Sequence, residues 1–223
     1  MYQWNWNVIF QYKYVFIQGA ATTLWLTFLV IVFGTILGVL IGLMRRSSAP
    51  FIPVIAKIYI ELFRAFPILV LLIWLYYVSP ILLGIQFSPF NTALIALLIN
   101  LAAFVAETVR AAIESIPKNQ FESGATLGLN SMQTMIYIIL PQAMKNMLPN
   151  LLGLYVNQLK NSSLASVIAV NEVLHRANSM ISNTYRPLEI YTAVAMTYLI
   201  LIIPFSLLAS WVEKNISKKS RKI

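Results

Sequence analysis

The chain has 223 residues, 59% of them apolar and 10% charged, with a formal net charge of +9. Soluble domains carry roughly a quarter charged residues, so this composition excludes an ordinary water-soluble fold and points to the membrane. With no Asp, no Cys and a single His, His175, clustered zinc, thiol and disulfide chemistry are excluded as well.

The N-terminal stretch MYQWNWNVIFQYKY is rich in Trp and Tyr, which collect at membrane–water interfaces. A first span is expected over residues 16–44. It is too long and too regularly spaced with glycine for a cleaved signal peptide, whose apolar core is about 7–15 residues. Gly34, Gly38 and Gly42 recur every four residues, a spacing that lets two helices approach closely. That spacing fits a contact within the chain and a dimer seam equally. Further on, Glu61 and Arg64 lie one helical turn apart, as do Glu107 and Arg110. Both read as intrahelical ion pairs at a membrane edge. Pro67 is placed to kink the helix that carries the first pair.

No residue is charged from Ala65 to Ala106. That length holds two spans of about 20 residues each, expected at 65–83 and 90–109. They are divided at GIQFSPFN, where Gly and Pro mark a turn. Asn100 falls inside the third span. It has two readings: a group lining a polar pathway, or a hydrogen bond to a neighbouring helix.

After the third span comes FESGATLGLNSMQTMIYIILP, Phe121 to Pro141, unusually polar for this chain. Pro117 suits the first turn of a short helix. Gly128 can end that helix in the left-handed conformation. Asn130 with Gln133 has the spacing of a cap and its reciprocal partner, so a second helix starts at once. Leu129, Met132, Ile136 and Ile139 give the second helix one apolar face, and Pro141 is expected to bend or break it. A loop over 117–141 built as helix, glycine corner, helix follows.

A fourth span is expected at 147–170, interrupted by Lys160 and by serines that weaken helical order. Leu154, Asn157, Gln158 and Asn161 put polar groups on this helix, and they are candidates for a translocation pathway. For Asn157 a bond to a neighbouring helix is the alternative. His175 and Arg176 fall in the following loop, where a lone His reads as a solvated residue. The fifth span, 190–212, is interrupted only by Pro204. Five of the sixteen Lys and Arg lie in the last ten residues. The others flank apolar runs, which reads as juxtamembrane anchoring in lipid and not as nucleic-acid binding.

The expected fold is therefore an all-α integral membrane domain over residues 1–223 with five transmembrane helices. Positive charge selects the orientation. With the N-terminus outside and the C-terminus cytoplasmic, Arg45, Arg46, Lys57, Arg64, Arg110, Lys118, Lys145 and the basic tail face inward. Only Lys13, Arg176 and Arg186 face outward, and Lys160 is unassigned. The 117–141 loop between spans three and four then lies in the cytoplasm.

That loop resembles the "EAA" loop of permease subunits in bacterial ATP-binding-cassette (ABC) importers: Glu-Ala-Ala, three residues, Gly, nine residues, Ile-x-Leu-Pro. Glu122 opens it here, Gly128 holds the glycine position, and Ile138, Leu140 and Pro141 close it. Ser123 and Gly124 replace the two alanines, which keeps the residues small. QGAATTLWLTF, YIELFRAFPILVLLIWLYY, AFVAETVRAAIESIPKNQFESGATLGL, ILPQAMKNMLPNLL and LKNSSLASVIAVNEV also resemble the polar-amino-acid permeases of the histidine/glutamine/glutamate type. The resemblance runs from about Gln18 to Val212.

It implies a multi-pass protein of the bacterial cytoplasmic (inner) membrane. It works with ABC ATPase subunits, a second permease chain (identical or related) and an extracytoplasmic amino-acid-binding protein. ATP and Mg are bound by the partner ATPase; this chain, a transport subunit and not an enzyme, has no cofactor or metal of its own. No glycine is followed by Lys, so the Gly-x-x-x-x-Gly-Lys-Ser/Thr phosphate loop is absent from the sequence. The resemblance assigns Glu122, Gly124, Gly128, Leu140 and Pro141 to coupling with the ATPase. It places Glu61, Arg64, Glu107 and Arg110 at a cytoplasmic gate. LFRAFPILVLLIWLY looks closest to the glutamate/aspartate branch. The alternative, an ion-gradient-driven secondary transporter, lacks both a visible inverted repeat and acids deep in the expected spans.

Overall fold

The computed structural model describes residues 2–47 and 49–220, and among these every regular element is helical. Arg221 and Lys222 of the basic tail lie outside the described residues, as do the side chains of Lys218 and Lys219. The helices are α1 (Asn7–Gln11), α2 (Lys13–Met44), α3 (Ile52–Ala65), α4 (Ile68–Ile73), α5 (Ser79–Leu83), α6 (Pro89–Glu114) and α7 (Lys118–Thr126). They continue as α8 (Ser131–Thr134), α9 (Leu140–Asn161), α10 (Val173–Thr184) and α11 (Pro187–Ser220). Wide π-helical turns at Trp74–Val78 and Met135–Ile139 join α4 to α5 and α8 to α9, and a 3-10 segment, Ser162–Ile168, follows α9.

Three helices among the described residues are long and apolar enough to cross a membrane: Lys13–Met44, Pro89–Glu114 and Pro187–Ile216. A fourth crossing arises if Ile52–Ala65 and Ile68–Leu82 count as one span, broken at Phe66–Pro67 with a bend of 102°. The expected fourth span departs further from expectation. Its helix begins at Leu140 and ends at Asn161, and a 3-10 segment replaces the rest. The serine hydroxyls explain the change. Ser162 donates to the Leu159 carbonyl at 2.7 Å and Ser163 to the Lys160 carbonyl at 2.8 Å. Such back-bonding competes with the helical ladder.

Each π turn ends one residue short of a proline. The N–H of the intervening residue bonds five residues back, Ser79 to Trp74 and Leu140 to Met135. Pro80 and Pro141 cannot donate, and their rings crowd the carbonyl four residues earlier. Widening the turn relieves that crowding while the helix continues. Pro141 therefore does not break the helix, a break being one of the two outcomes expected of it.

The chain forms two compact units. The first comprises Met1–Phe33, Phe66–Ile99 and Val156–Ser206. Its core gathers Phe16, Val173, Ala177, Met180, Ile190 and Val194, with Val8, Ile9 and Tyr12 of the N-terminal segment packed against it. Gly19 is required there, since a Cβ would stand 2.9 Å from the Val173 Cα.

The second unit comprises Gly34–Ala65, Asn100–Tyr155 and Leu207–Ile223. Here the glycine stripe of α2 meets α6. A Cβ on Gly38 would stand 2.6 Å from the Val105 Cβ, and one on Gly42 2.8 Å from the Val109 Cβ. The stripe thus serves a close helix pair within the chain. Ile41, Ala56, Ile60 and Ala106 form the adjoining core.

Candidate coupling loop and polar pathway

In the second unit, α7 ends in a glycine corner. Gly128 has φ +73°, and the Leu129 N–H returns to the Gly124 carbonyl at 3.0 Å. That bond, spanning a left-handed glycine, is the Schellman ending of a helix. Asn130 then opens α8: its side chain accepts the Gln133 N–H at 2.9 Å, and the Gln133 side chain accepts the Asn130 N–H at 2.9 Å. Both halves of the expected capping box are made, so the corner is fixed by a backbone bond on one side and by two backbone-to-side-chain bonds on the other.

The two arms of the corner touch at Gly124. A Cβ there would lie 2.9 Å from the Thr134 Cβ and closer still to its branches, and Thr134 is itself buried. Glycine is thus matched to the bulk of Thr134. Glu122 is exposed, as are Gly128 and Pro141, while Leu140 is half-buried. Leu127, at the tip, is 71% exposed.

Of the expected apolar face of the second arm, Ile139 is buried and Leu129 half-buried. Met132 and Ile136 are exposed, and the buried row is Thr134, Ile139 and Ala143. The π turn adds a residue between Thr134 and Ile139, which rotates the inward face.

The ion pairs also differ in part. Arg110 grips Glu107 with both prongs of its guanidinium, at 2.7 and 3.0 Å, and also pairs with Glu114. The expected Glu61–Arg64 pair is not made. Arg64 instead faces α6, 3.6 Å from Glu107 and over the Phe104 ring, and Glu61 pairs with Lys57 at 3.7 Å. Arg64 finds a carboxylate on α6 already held in place, whereas Glu61 sits on the exposed side of α3. The Lys57–Glu61 pair is exposed and contributes little.

Asn100 is buried and donates to the Phe63 carbonyl at 2.9 Å. In an unbroken helix that carbonyl would accept from residue 67, but Pro67 has no N–H. Asn100 therefore completes the end of α3. Of the α9 candidates, Leu154 is half-buried in the second unit. In the first unit, Asn157 is exposed and Asn161 half-buried. Gln158, in the same unit, is 2% exposed and its Nε2 has no hydrogen-bond partner. An unpaired buried amide costs about 1–3 kcal/mol, so it calls for an explanation.

Sequence reasoning missed three features. In the second unit, Gln142, Asn146 and Asn150 recur every fourth residue and donate to Gln120, Ser115 and Thr108 at 3.1, 3.1 and 2.7 Å. The four-residue spacing was the available signal. In the first unit, Glu172 is fully buried, caps α10 through the His175 N–H at 2.7 Å and accepts the Tyr198 hydroxyl. Burial raises the Glu172 carboxyl above the usual range, against those hydrogen bonds, which lower it. Glu189 is also buried; it accepts the Asn5 N–H at 2.9 Å and the Tyr2 hydroxyl, and pairs with Arg186 at 3.4 Å. Two of its three partners, Tyr2 and Asn5, lie more than 180 residues away along the chain, where no local pattern reveals them.

Comparison with known proteins gives a consistent result. Residues 34–222 match the family described as binding-protein-dependent transport system inner membrane component. The glutamine transport system permease protein GlnP of Escherichia coli (strain K12) is 34% identical over 214 residues, covering 96% of this chain and 98% of that protein. The probable amino-acid ABC transporter permease protein YckA of Bacillus subtilis (strain 168) is 38% identical over 201 residues, covering 87% and 88%. A chain from the crystal structure of an amino acid ABC transporter with histidines superposes with a TM-score of 0.89 at 36% identity, covering 96% of this chain and all of that one. An inward-facing structure of the MetNI methionine ABC transporter shares the fold, with a TM-score of 0.74 at 18% identity over 92% of this chain and 97% of that one.

Proposed function

The chain belongs to the family of binding-protein-dependent transport system inner membrane components, and on that premise we propose that it is the transmembrane permease subunit of an ATP-driven importer of a polar amino acid. It crosses the inner membrane five times, N-terminus outside and C-terminus inside. The 117–141 loop faces the cytoplasm. Two ATPase subunits, which bind ATP and Mg, dock on the loops of two permease chains, identical or related. A binding protein outside the membrane delivers the amino acid.

The observation that carries this reading is the glycine corner, closed by the Gly128 turn and the Asn130–Gln133 capping box. A short helix on a rigid corner is a lever. When the ATPases close on ATP, the loop moves and the pathway changes from outward- to inward-facing, a rigid-body transition. Glu122 supplies a charge-assisted contact to the ATPase, Gly124 and Gly128 keep the corner tight, and Leu140 and Pro141 join it to α9. Arg64, Glu107 and Arg110, with Glu61 beside them, form a cytoplasmic gate of ion pairs. The pathway is lined from α9 by Leu154, Asn157, Gln158 and Asn161. Asn100 serves it by holding the break at Pro67. The unpaired Nε2 of Gln158 supports this assignment, because a free amide donor suits the carboxylate of an amino acid.

Relatives named for glutamine favour glutamine as the amino acid to test first. The stretch Leu62–Tyr76, similar to the glutamate/aspartate branch, makes glutamate the second. The test is to tag the chain, extract it gently from its own membranes and identify its companions by mass spectrometry. A stoichiometric ATPase with a phosphate-binding loop is expected, and a second permease chain, if distinct, is identified in the same sample. Emergence of the chain alone, under conditions that preserve other transporter complexes, would overturn the reading.

A further inference from the structure

The second unit holds a cavity of about 800 Å³ beside the glycine corner, lined among others by Leu43, Arg46, Ser47, Phe121, Ser131 and Ile136. Arg46 lies over the Phe121 ring, 5.1 Å from its centre, at the point where α2 ends and α7 begins its second turn. It is the one charged residue in the described lining; the hydroxyls of Ser47, Ser131 and Thr134 complete its polar part. A second cavity of about 330 Å³ adjoins it, sharing Leu43, Ile136 and Leu140 and continuing along Val39, Ile113 and Met144. The lining of this second cavity is apolar throughout.

A cation with hydroxyls beside it and an apolar channel leading from them is the outline of an anionic amphiphile. We propose that these joined cavities bind an anionic phospholipid, its phosphate against Arg46, Ser47 and Ser131 and an acyl chain along Leu43 and Ile136 into the apolar part. The charge favours this occupant: an apolar protein segment seated there would leave Arg46 unpaired, whereas inner-leaflet anionic lipid is drawn to basic residues at the cytoplasmic end of a span. Only the inward placement of this loop is taken from the proposed function. A lipid held against Phe121 and Ser131 touches both arms of the corner, so lipid composition would tune how firmly the corner is set.

The test uses the full chain with whatever partners co-purify, reconstituted in phosphatidylcholine vesicles with and without phosphatidylglycerol, then re-extracted. The lipid retained per chain is read by native mass spectrometry, a readout independent of transport and of any ATPase. Wild-type chain is expected to retain phosphatidylglycerol in preference to phosphatidylcholine, and excess inorganic phosphate is expected not to displace it. Arg46→Gln, an exposed position that leaves the helices intact, should lower retention about fivefold. Ile136→Trp, which fills the throat between the cavities, should abolish it. Equal retention by wild type and Arg46→Gln would mean boundary lipid only and would overturn the proposal. Displacement by phosphate alone would overturn it in favour of a free anion. Wild-type chain that retains no lipid because a partner protein shields Ser131 and Phe121 would overturn it in favour of a protein occupant.

Discussion

Pro67 leaves the Phe63 carbonyl without its helical donor, and the Asn100 amide supplies one from α6 at 2.9 Å. Asn100→Ala would strand that carbonyl, at a cost of about 1–3 kcal/mol. The expected outcome is a lower melting temperature of the extracted protein, and an unchanged one would contradict the assignment. Glu172 permits a sharper pair of substitutions. Its carboxyl caps α10, while burial disfavours its charge. Glu172→Gln keeps an acceptor for the His175 N–H and removes the charge, so stability should hold; Glu172→Ala loses the cap and should cost about 1 kcal/mol. Equal losses in the two variants, read from thermal unfolding, would show that the charge itself matters. The role of Glu172 was not visible in the sequence, whereas for Asn100 one of the two readings, a bond to a neighbouring helix, is the one made. Asn100 read as a polar residue in an apolar helix with two possible uses, and its partner is a backbone carbonyl that only the break at Pro67 leaves unpaired.

At the scale of the helix pair around Gly128, the local signals were legible because they are local. The glycine corner and both bonds of the Asn130–Gln133 box follow from residues within a few positions of one another. What the sequence did not disclose was the effect of Pro141, because a proline can break a helix or be absorbed by a π turn, and the choice depends on packing. Of the expected apolar face only Ile139 is buried within the chain, and it shares the buried row with Thr134 and Ala143. Gly124 packs on Thr134, so Gly124→Ala should loosen the corner and lower the melting temperature, and adding Thr134→Ala should return part of the loss. Purely additive effects would mean the two residues are not coupled. Gly128→Ala forces a side chain into a left-handed turn, a strain of about 1 kcal/mol. Its expected signature is ATP-driven uptake reduced well beyond what that small loss of stability explains. Intact uptake would remove the lever from the account.

For the whole chain, composition established the membrane and uniform apolar runs located three of the spans, since α2, α6 and α11 need only length and hydropathy. The second and fourth expected spans were harder. One is broken at Phe66–Pro67 and the other gives way to a 3-10 segment at Ser162, so neither is a simple apolar helix. Charge placement sets the proposed orientation, and the absence of native cysteine makes it testable with single substitutions. Asn178→Cys should react with a membrane-impermeant thiol reagent from outside, and Ser123→Cys only after permeabilisation; the reverse pattern would invert the topology. The central claim is that force enters this permease through the 117–141 loop from a separate ATPase. Leu127, 71% exposed at the corner, is the place to ask. A Leu127→Cys chain in its native membranes, treated with a short bifunctional thiol cross-linker, should yield an adduct whose second component is a nucleotide-binding ATPase. An intact co-purifying complex that contains an ATPase bearing an accessible thiol, yet gives no such adduct from position 127, would contradict it.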